Sequence, residues 1–96
     1  MVGKRDPEPH VAAEILAQYV GTYDSPRFRG PIIVSLEGNR LMIDTDGAGK
    51  IPLIAQSETR FSMEGTLVDF LKDDRGAVTG YVQHWTEGDR YATRRQ

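Results

Sequence analysis

The chain has 96 residues, of which 39% are hydrophobic and 27% are charged, so it is long enough for one folded domain with a thin core. Its 12 basic and 14 acidic residues give a net charge of -2 without a long block of either sign, which argues against a nucleic-acid surface. Because the chain contains no cysteine, disulfides and thiolate metal or redox chemistry are excluded.

The first residues do not have the pattern of an export signal. Met1 to Arg5 is basic, but Asp6-Pro7-Glu8-Pro9 stands where a signal peptide needs its apolar stretch. We interpret residues 1–9 as a linker or frayed terminus and residues 10–96 as a single β domain. No apolar run approaches the ~20 residues of a membrane-spanning helix, so we expect a soluble domain. It is periplasmic if it belongs to an exported protein and cytoplasmic otherwise.

One short helix is predicted from Pro9 to Gln18. The apolar residues in this segment follow helical spacing and continue to Tyr19, while Glu14 lies on the other face. Gly21 then breaks the helical pattern, and the residues around it favour strand. Asp24 to Pro31, with two prolines and a glycine, is typical of a loop.

From Ile32 onwards the apolar residues recur with a period of two. Gly38-Asn39 separates the first two such runs and suits the positive φ of a primed hairpin turn. The last hairpin is predicted to turn at Gly88-Asp89. Further strands are predicted around Ile51 to Ala55, Phe61 to Met63, Thr66 to Lys72, Ala77 to Thr86 and Arg90 to Arg95.

These elements define a mainly β fold class. Short strands joined by tight turns predict an antiparallel meander of about eight strands, which forms a small barrel or a strongly curved sheet. The short N-terminal helix is expected to cover one open end.

Four segments in this order resemble a bacterial domain of unknown function that is found C-terminal to serine β-lactamase-like or penicillin-binding-protein-like hydrolases. The likeness extends from about residue 15 to residue 95. The segments are Leu16-x-x-Tyr19-Val20-Gly21-Thr22-Tyr23, Leu36-Glu37-Gly38-Asn39-Arg40-Leu41, Ser57-Glu58-Thr59-Arg60-Phe61 and Val78-Thr79-Gly80-x-x-x-His84.

The resemblance implies a lipocalin-like β domain that is an accessory to an enzyme in another domain, in cis or in trans. The chain has no Ser-x-x-Lys motif of its own. We therefore expect a non-catalytic domain without a cofactor, which acts by docking on the hydrolase or by binding a protein or ligand. The alternative is a stand-alone, lipocalin-like small-ligand-binding protein, which requires an enclosed apolar cavity of ~300 Å³ or more among the strands.

His84 is the most informative single polar residue. On a strand it shares a face with Val82, whereas Tyr81 and Trp85 lie on the other face. A histidine there suits a general base or a pH-sensitive ligand contact, although a structural histidine is the favoured interpretation. An enzymatic hypothesis pairs His84 with Asp69 or Glu64, and it requires hydrogen-bond distance between them.

The residues predicted to bind a ligand are His84, Tyr81, Trp85 and Arg60. Tyr81 and Trp85, with Tyr91, could form a binding surface for a sugar, a peptide or a partner domain. The same rings could instead form the core, and this is the favoured interpretation. Arg60 and Glu58 are expected to form at most a weak surface ion pair. Phe28 is predicted to be exposed.

Two further patterns are weak. Asp44-Thr45-Asp46-Gly47 begins like a calcium loop but lacks the later acidic ligands, and Gly47-Ala48-Gly49-Lys50 fails as a phosphate loop, so both are interpreted as turns and no metal site is predicted. An edge strand near Pro52 or at Arg90 to Arg95 suits pairing with a second copy, which would give a homodimer.

Overall fold

A computed structural model describes residues 11–95, and the predicted linker at residues 1–9 lies outside this range. The described chain contains one short helix and eight strands, so the mainly β fold class is confirmed. The elements are α1 (Ala13–Ala17), β1 (Gly21–Asp24), β2 (Ile32–Glu37), β3 (Arg40–Thr45), β4 (Lys50–Ala55), β5 (Arg60–Met63), β6 (Thr66–Lys72), β7 (Val78–Trp85) and β8 (Gly88–Arg94).

The strands form a closed barrel in which each strand pairs antiparallel with its neighbour in sequence, and β8 returns to β1. This is the up-and-down arrangement of lipocalin-like barrels, and the alternative of a curved open sheet is excluded. The closing pair is short: β1 meets β8 only at Tyr23↔Arg94 and Asp24↔Thr93. Pro52 lies where β4 pairs with β3 but not with β5, as expected for a residue without an amide hydrogen.

Two tight turns follow the backbone rules for hairpins. The predicted turn at Gly38-Asn39 is confirmed, since Glu37 pairs with Arg40 and Gly38 has a φ of 63°. Between β5 and β6 the two turn residues, Glu64 and Gly65, have φ of 49° and 86°. Two successive positive φ values are typical of a type I′ turn, whose twist matches that of the flanking strands.

The predicted turn of the last hairpin is wrong by two residues. Trp85 pairs with Gly88, so the chain reverses at Thr86-Glu87 and Gly88-Asp89 begins β8. Gly88 has a φ of 138°, and its lack of a side chain suits this position as well as the predicted one. The observed register pairs His84 with Asp89, whereas a turn at Gly88-Asp89 would have placed it elsewhere on β8.

The helix is shorter than predicted. Ala12 is extended, with φ of -61° and ψ of 145°, and it makes no side-chain capping bond. This extended backbone sets the start of α1 at Ala13, and an alanine offers no side-chain oxygen to the free amides of the first turn. Leu16 and Tyr19 nevertheless reach the core, on the side of the barrel where β1 begins.

Aromatic rings fill the interior of the barrel. Phe70 stacks on Tyr19 at a centroid distance of 4.2 Å and has edge contacts with Phe61 at 5.6 Å, Tyr81 at 5.9 Å and Tyr23 at 6.1 Å. The ring of Phe70 therefore contacts four others. Aliphatic side chains from the other strands complete the core; among the most buried are Ile32, Val34, Leu41, Ile43, Leu53 and Val68.

Side-chain hydrogen bonds reinforce the region where the first and last strands meet. The Tyr23 hydroxyl donates to the Tyr19 carbonyl at 2.8 Å, and Arg94 donates to the Val20 carbonyl at 2.8 Å. Arg95 forms a bidentate ion pair with Asp24 on the surface. These contacts supplement the short backbone ladder between β1 and β8. The two arginines connect the end of β8 to β1 and to the residue before it, and the Tyr23 hydroxyl fixes the chain that leads into β1.

The contacts of Phe70 predict its contribution to stability. Phe70→Ala removes a buried ring that four others contact, so the free energy of unfolding should fall by about 3–5 kcal/mol in urea titrations. Tyr91→Ala is the matched control, since Tyr91 is 58% exposed and its truncation should change stability by no more than about 0.5 kcal/mol. Equal losses in the two variants would contradict the packing described here.

Gly80 is required by close packing between β7 and β8. A Cβ at this position would overlap the carbonyl oxygen of Ala92, which is backbone and not free to rotate away. Gly80→Ala should therefore lower the free energy of unfolding by about 1–3 kcal/mol. The neighbouring exposed substitution Thr79→Ala should cost no more than about 1 kcal/mol, because it removes only one exposed hydrogen bond to Leu71. A neutral Gly80→Ala would refute this explanation.

Candidate functional site

The outer face of β5 to β8 carries a row of four charged side chains that we call the ion cluster: Arg60, Asp69, His84 and Asp89. The register brings them together, because Arg60 pairs with Asp69 on adjacent strands and His84 pairs with Asp89. Arg60 binds both oxygens of Asp69, at 2.8 and 2.9 Å. His84 contacts Asp69 through Nε2 at 2.8 Å and Asp89 through Nδ1 at 3.0 Å. The four side chains thus link four strands across the barrel surface.

Two carboxylates favour the cationic form of His84. Hydrogen bonds from its ring to Asp69 and to Asp89 raise the pKa of the imidazole above its usual value, and the two negative charges add to this effect. An ionised carboxylate can only accept, so both contacts are hydrogen bonds when the ring carries a proton on each nitrogen. The side chain is 36% exposed, so solvent screens these interactions.

Asp69 is the central acceptor of the ion cluster. The hydrogen bond from Arg60 is the main cause that lowers the pKa of its carboxyl group. Partial burial opposes this effect, and the hydrogen bond from His84 lowers the pKa further. Its two oxygens are shared between a guanidinium and an imidazolium, so Asp69 stays ionised through the physiological pH range.

This geometry argues for a structural role. The enzymatic hypothesis required a carboxylate within hydrogen-bond distance of His84, and Asp69 meets that requirement, whereas Glu64 lies in the β5–β6 turn. A general base, however, needs a ring nitrogen with a free lone pair. Both nitrogens of His84 face carboxylates, so neither is available to accept a proton from a nucleophile.

Apolar side chains border the ion cluster on the outer face. Leu67 pairs with His84 in the ladder and is 37% exposed, and Tyr91 pairs with Val82 and is 58% exposed. Val82, although it points outward, is only 6% exposed because the surrounding side chains cover it. The outer face therefore combines fixed charges with exposed apolar side chains.

The four residues predicted to bind a ligand occupy different environments. His84 and Arg60 lie together in the ion cluster, joined through Asp69. Tyr81 lies in the core, where burial raises the pKa of its hydroxyl to about 12. Trp85 is 37% exposed near the β7–β8 turn, and the Arg90 guanidinium lies 4.3 Å from the centre of its ring.

Sequence reasoning missed Asp89 as a site residue, because a turn at Gly88-Asp89 would have removed it from the strand that faces His84. The prediction that Phe28 is exposed is also wrong. Its side chain is partly buried and packs against the core. The sequence around Phe28 does not indicate this, because a loop has no regular alternation of inward and outward side chains from which the direction of the ring could be predicted.

A groove runs between β8 and the β1–β2 loop. It has a volume of about 580 Å³ and is lined on one side by residues 87–91 and Thr93, and on the other by Ser25, Pro26 and Arg27. The groove lies outside the barrel, whose interior is occupied by the aromatic core. Its volume is within the ~300–1,000 Å³ range of small-molecule sites.

The residues that faintly resemble a calcium loop form a turn. Asp46 and Gly47 have φ of 58° and 75°, and Asp44 accepts a hydrogen bond from the Gly49 amide at 3.2 Å. Within residues 11–95, no three or more His, Cys, Asp or Glu side chains are grouped as a metal ion would require.

Over the same range, no helix has the length and apolar character needed to cross a membrane.

Comparisons with known proteins do not identify a family. Neither family models nor the curated proteins give a match to this chain. The function must therefore be argued from the geometry described above.

The protonation of His84 predicts a pH dependence of stability. A folded-state pKa raised above the unfolded value of about 6.5 means that the contribution of His84 is fully present below pH 6.5 and is lost as pH rises through the folded-state pKa. The stability difference between wild type and His84→Gln should therefore shrink as urea titrations move from pH 5.5 to alkaline pH. Asp69→Asn is the control, because it should lower the pKa of His84 in an NMR titration. An unchanged pKa in that variant would contradict the ion cluster.

Proposed function

We propose that this chain is a non-catalytic accessory domain that docks on a serine hydrolase of the β-lactamase-like or penicillin-binding-protein-like type. The observation that carries the proposal is that the barrel interior is filled by five aromatic rings, while exposed apolar residues and fixed charges are on the outside. A barrel of this kind has its recognition surface on its exterior.

The ion cluster supports the non-catalytic part of the proposal. His84, the strongest candidate for a general base, lies on a partly exposed surface with each ring nitrogen facing a carboxylate. Active sites usually exclude water from the reacting groups, whereas this ring is 36% exposed. The cluster instead suits a rigid surface, since it links β5, β6, β7 and β8 on the face that holds Leu67 and Tyr91.

The choice of a serine hydrolase as partner rests on the sequence resemblance from about residue 15 to residue 95. The exterior is compatible with such a role, because Leu67 and Tyr91 provide apolar contact area beside charged residues. Aromatic residues are enriched in protein interfaces, where a large ring is buried and its polar end stays hydrated. A domain docked on the exterior would leave the aromatic core undisturbed.

The groove favours a second candidate function, a small-ligand-binding protein. The volume of the groove, about 580 Å³, exceeds the ~300 Å³ that a small-ligand site requires, but the groove lies on the surface next to Tyr91. A ligand there would contact the β8 strand and Pro26 and would not enter the barrel. This differs from the interior cavity that the lipocalin-like alternative requires.

The proposal predicts binding without turnover. The purified chain should hydrolyse neither nitrocefin nor p-nitrophenyl acetate above the buffer rate, and His84→Ala should leave that result unchanged. Isothermal titration calorimetry should detect saturable binding to a penicillin-binding-protein-like hydrolase domain from the source genome. A subtilisin-type serine hydrolase, whose fold is unrelated, is the control and should not bind. Turnover abolished by His84→Ala, or no binding to the hydrolase domain, would refute the proposal.

A further inference from the structure

The barrel closes over only part of the length of β8. The β1–β8 register pairs Asp24 with Thr93, so a longer β1 would place residues 25–27 opposite residues 92–90. The chain instead turns away: Phe28 donates its amide hydrogen to the Ser25 carbonyl, and the Arg27 amide donates to the Ser25 hydroxyl. Within residues 11–95, the segment Gly88 to Ala92 therefore has a strand partner on the β7 side only.

The hydrogen-bonding pattern defines which backbone groups of β8 are left without a strand partner. The Arg95 amide donates to the Thr22 carbonyl at 2.7 Å, on the side that faces β1. Successive residues of a strand direct their N–H and C=O groups to opposite edges, so the odd-numbered residues of β8 point toward β1. The odd-numbered residues of β8 that precede Thr93 are Tyr91 and Asp89, and their amides and carbonyls face the groove.

The shape of the groove suits an extended chain. Its walls are the exposed edge of β8 and the loop at Ser25, Pro26 and Arg27. A strand added to β8 would lie ≈ 4.8 Å from it, and about five residues would cover Gly88 to Ala92. The Tyr91 ring, 58% exposed, would contact a side chain of that strand on the outer face.

Charges along the groove favour an acidic occupant. Glu87 lies 3.6 Å from Arg90, and Asp89 is bonded to His84, so both carboxylates in the groove have cationic neighbours. In the part of the chain from residue 11 to residue 95, no carboxylate forms a salt bridge with Arg27. An acidic side chain from a bound segment would complement the Arg27 guanidinium. A basic side chain at the same place would be repelled by it.

We propose that this groove binds an extended, acidic segment of the partner protein by β-strand addition, antiparallel to β8, with hydrogen bonds to the backbone of Asp89 and Tyr91. The strand continues the ladder that β1 begins at Asp24. Backbone pairing of this kind supplies affinity, and the side-chain contacts at Tyr91 and Arg27 supply selectivity. The inference rests on the proposed function, because it assigns the docking surface of the same interaction domain.

The first test uses the synthetic peptide acetyl-Val-Thr-Val-Glu-Val-Thr-amide and NMR titration of the intact chain. Amide shifts should be largest in residues 88–92 and 25–27. Two analogues carry N-methyl groups on alternate amides, one along the peptide edge that faces β8 and the other along the opposite edge. The first should lose at least tenfold in affinity, and the second should bind like the parent peptide. Equal binding of both analogues and the parent, shifts elsewhere on the barrel, or no binding at 1 mM peptide would overturn the inference.

The second test changes the protein. Tyr91→Pro removes the amide hydrogen that faces the groove but leaves the ladder to β7 intact, and proline is tolerated at such edge positions. Against the matched control Tyr91→Ala, it should weaken peptide binding at least tenfold. If Tyr91→Pro does not fold, the peptide analogues still decide the question. Arg27→Glu should weaken binding of the parent peptide and strengthen binding of the version in which Lys replaces Glu. If the variant keeps the preference of the wild type, the role of Arg27 is overturned.

The hydrolase domain distinguishes this inference from the proposed function. If the hydrolase domain binds wild type and Tyr91→Pro equally, the groove is not the docking surface, although the proposed function stands. If the peptide binds as predicted but the hydrolase domain does not bind at all, the groove is supported and the identity of the partner is wrong.

Discussion

The ring of Phe70 is the contact on which the rest of this small barrel depends. It touches Tyr19, Tyr23, Phe61 and Tyr81, which come from the segment before the barrel and from three different strands. A domain of fewer than a hundred residues buries a modest fraction of its surface, so large rings at the centre provide a major share of the favourable burial. Because those rings occupy the interior, the space that a larger barrel offers to a ligand is already filled.

That constraint moves recognition to the exterior. The ion cluster brings Arg60, Asp69, His84 and Asp89 together on the outer face and links four strands, while the β1–β8 closure is short and relies on side-chain contacts such as Arg94 to the Val20 carbonyl. The two regions differ in backbone pairing. The first is held by the ladders from β5 to β8 and by fixed charges, whereas the second has a strand edge beside a groove, so the proposed docking of an extended segment is assigned there.

Period-two patterns were sufficient to predict most strands, because alternate side chains point to opposite faces and the burial of one face imposes the alternation. The same rule placed Tyr81 and His84 on opposite faces of β7, and the structure shows that the face of Tyr81 is the core. It failed where the backbone had two acceptable solutions. Glycine permits the turn at Gly88-Asp89 as well as a strand start at Gly88, and local propensity does not distinguish between them. The ion pair of His84 with Asp89 and the placement of Arg90 over Trp85 accompany the register that is observed.

The amino-acid sequence by itself determined the class of fold, the number of strands and the set of apolar residues available for the core, since these depend on side-chain period and turn chemistry within a few residues. Only the tertiary structure decided that the sheet closes, that β1 leaves part of β8 without a partner, and that Asp69 and Asp89 meet at His84. The physical reason is that these features depend on the register between strands, where a shift by one or two residues changes every cross-strand neighbour at once.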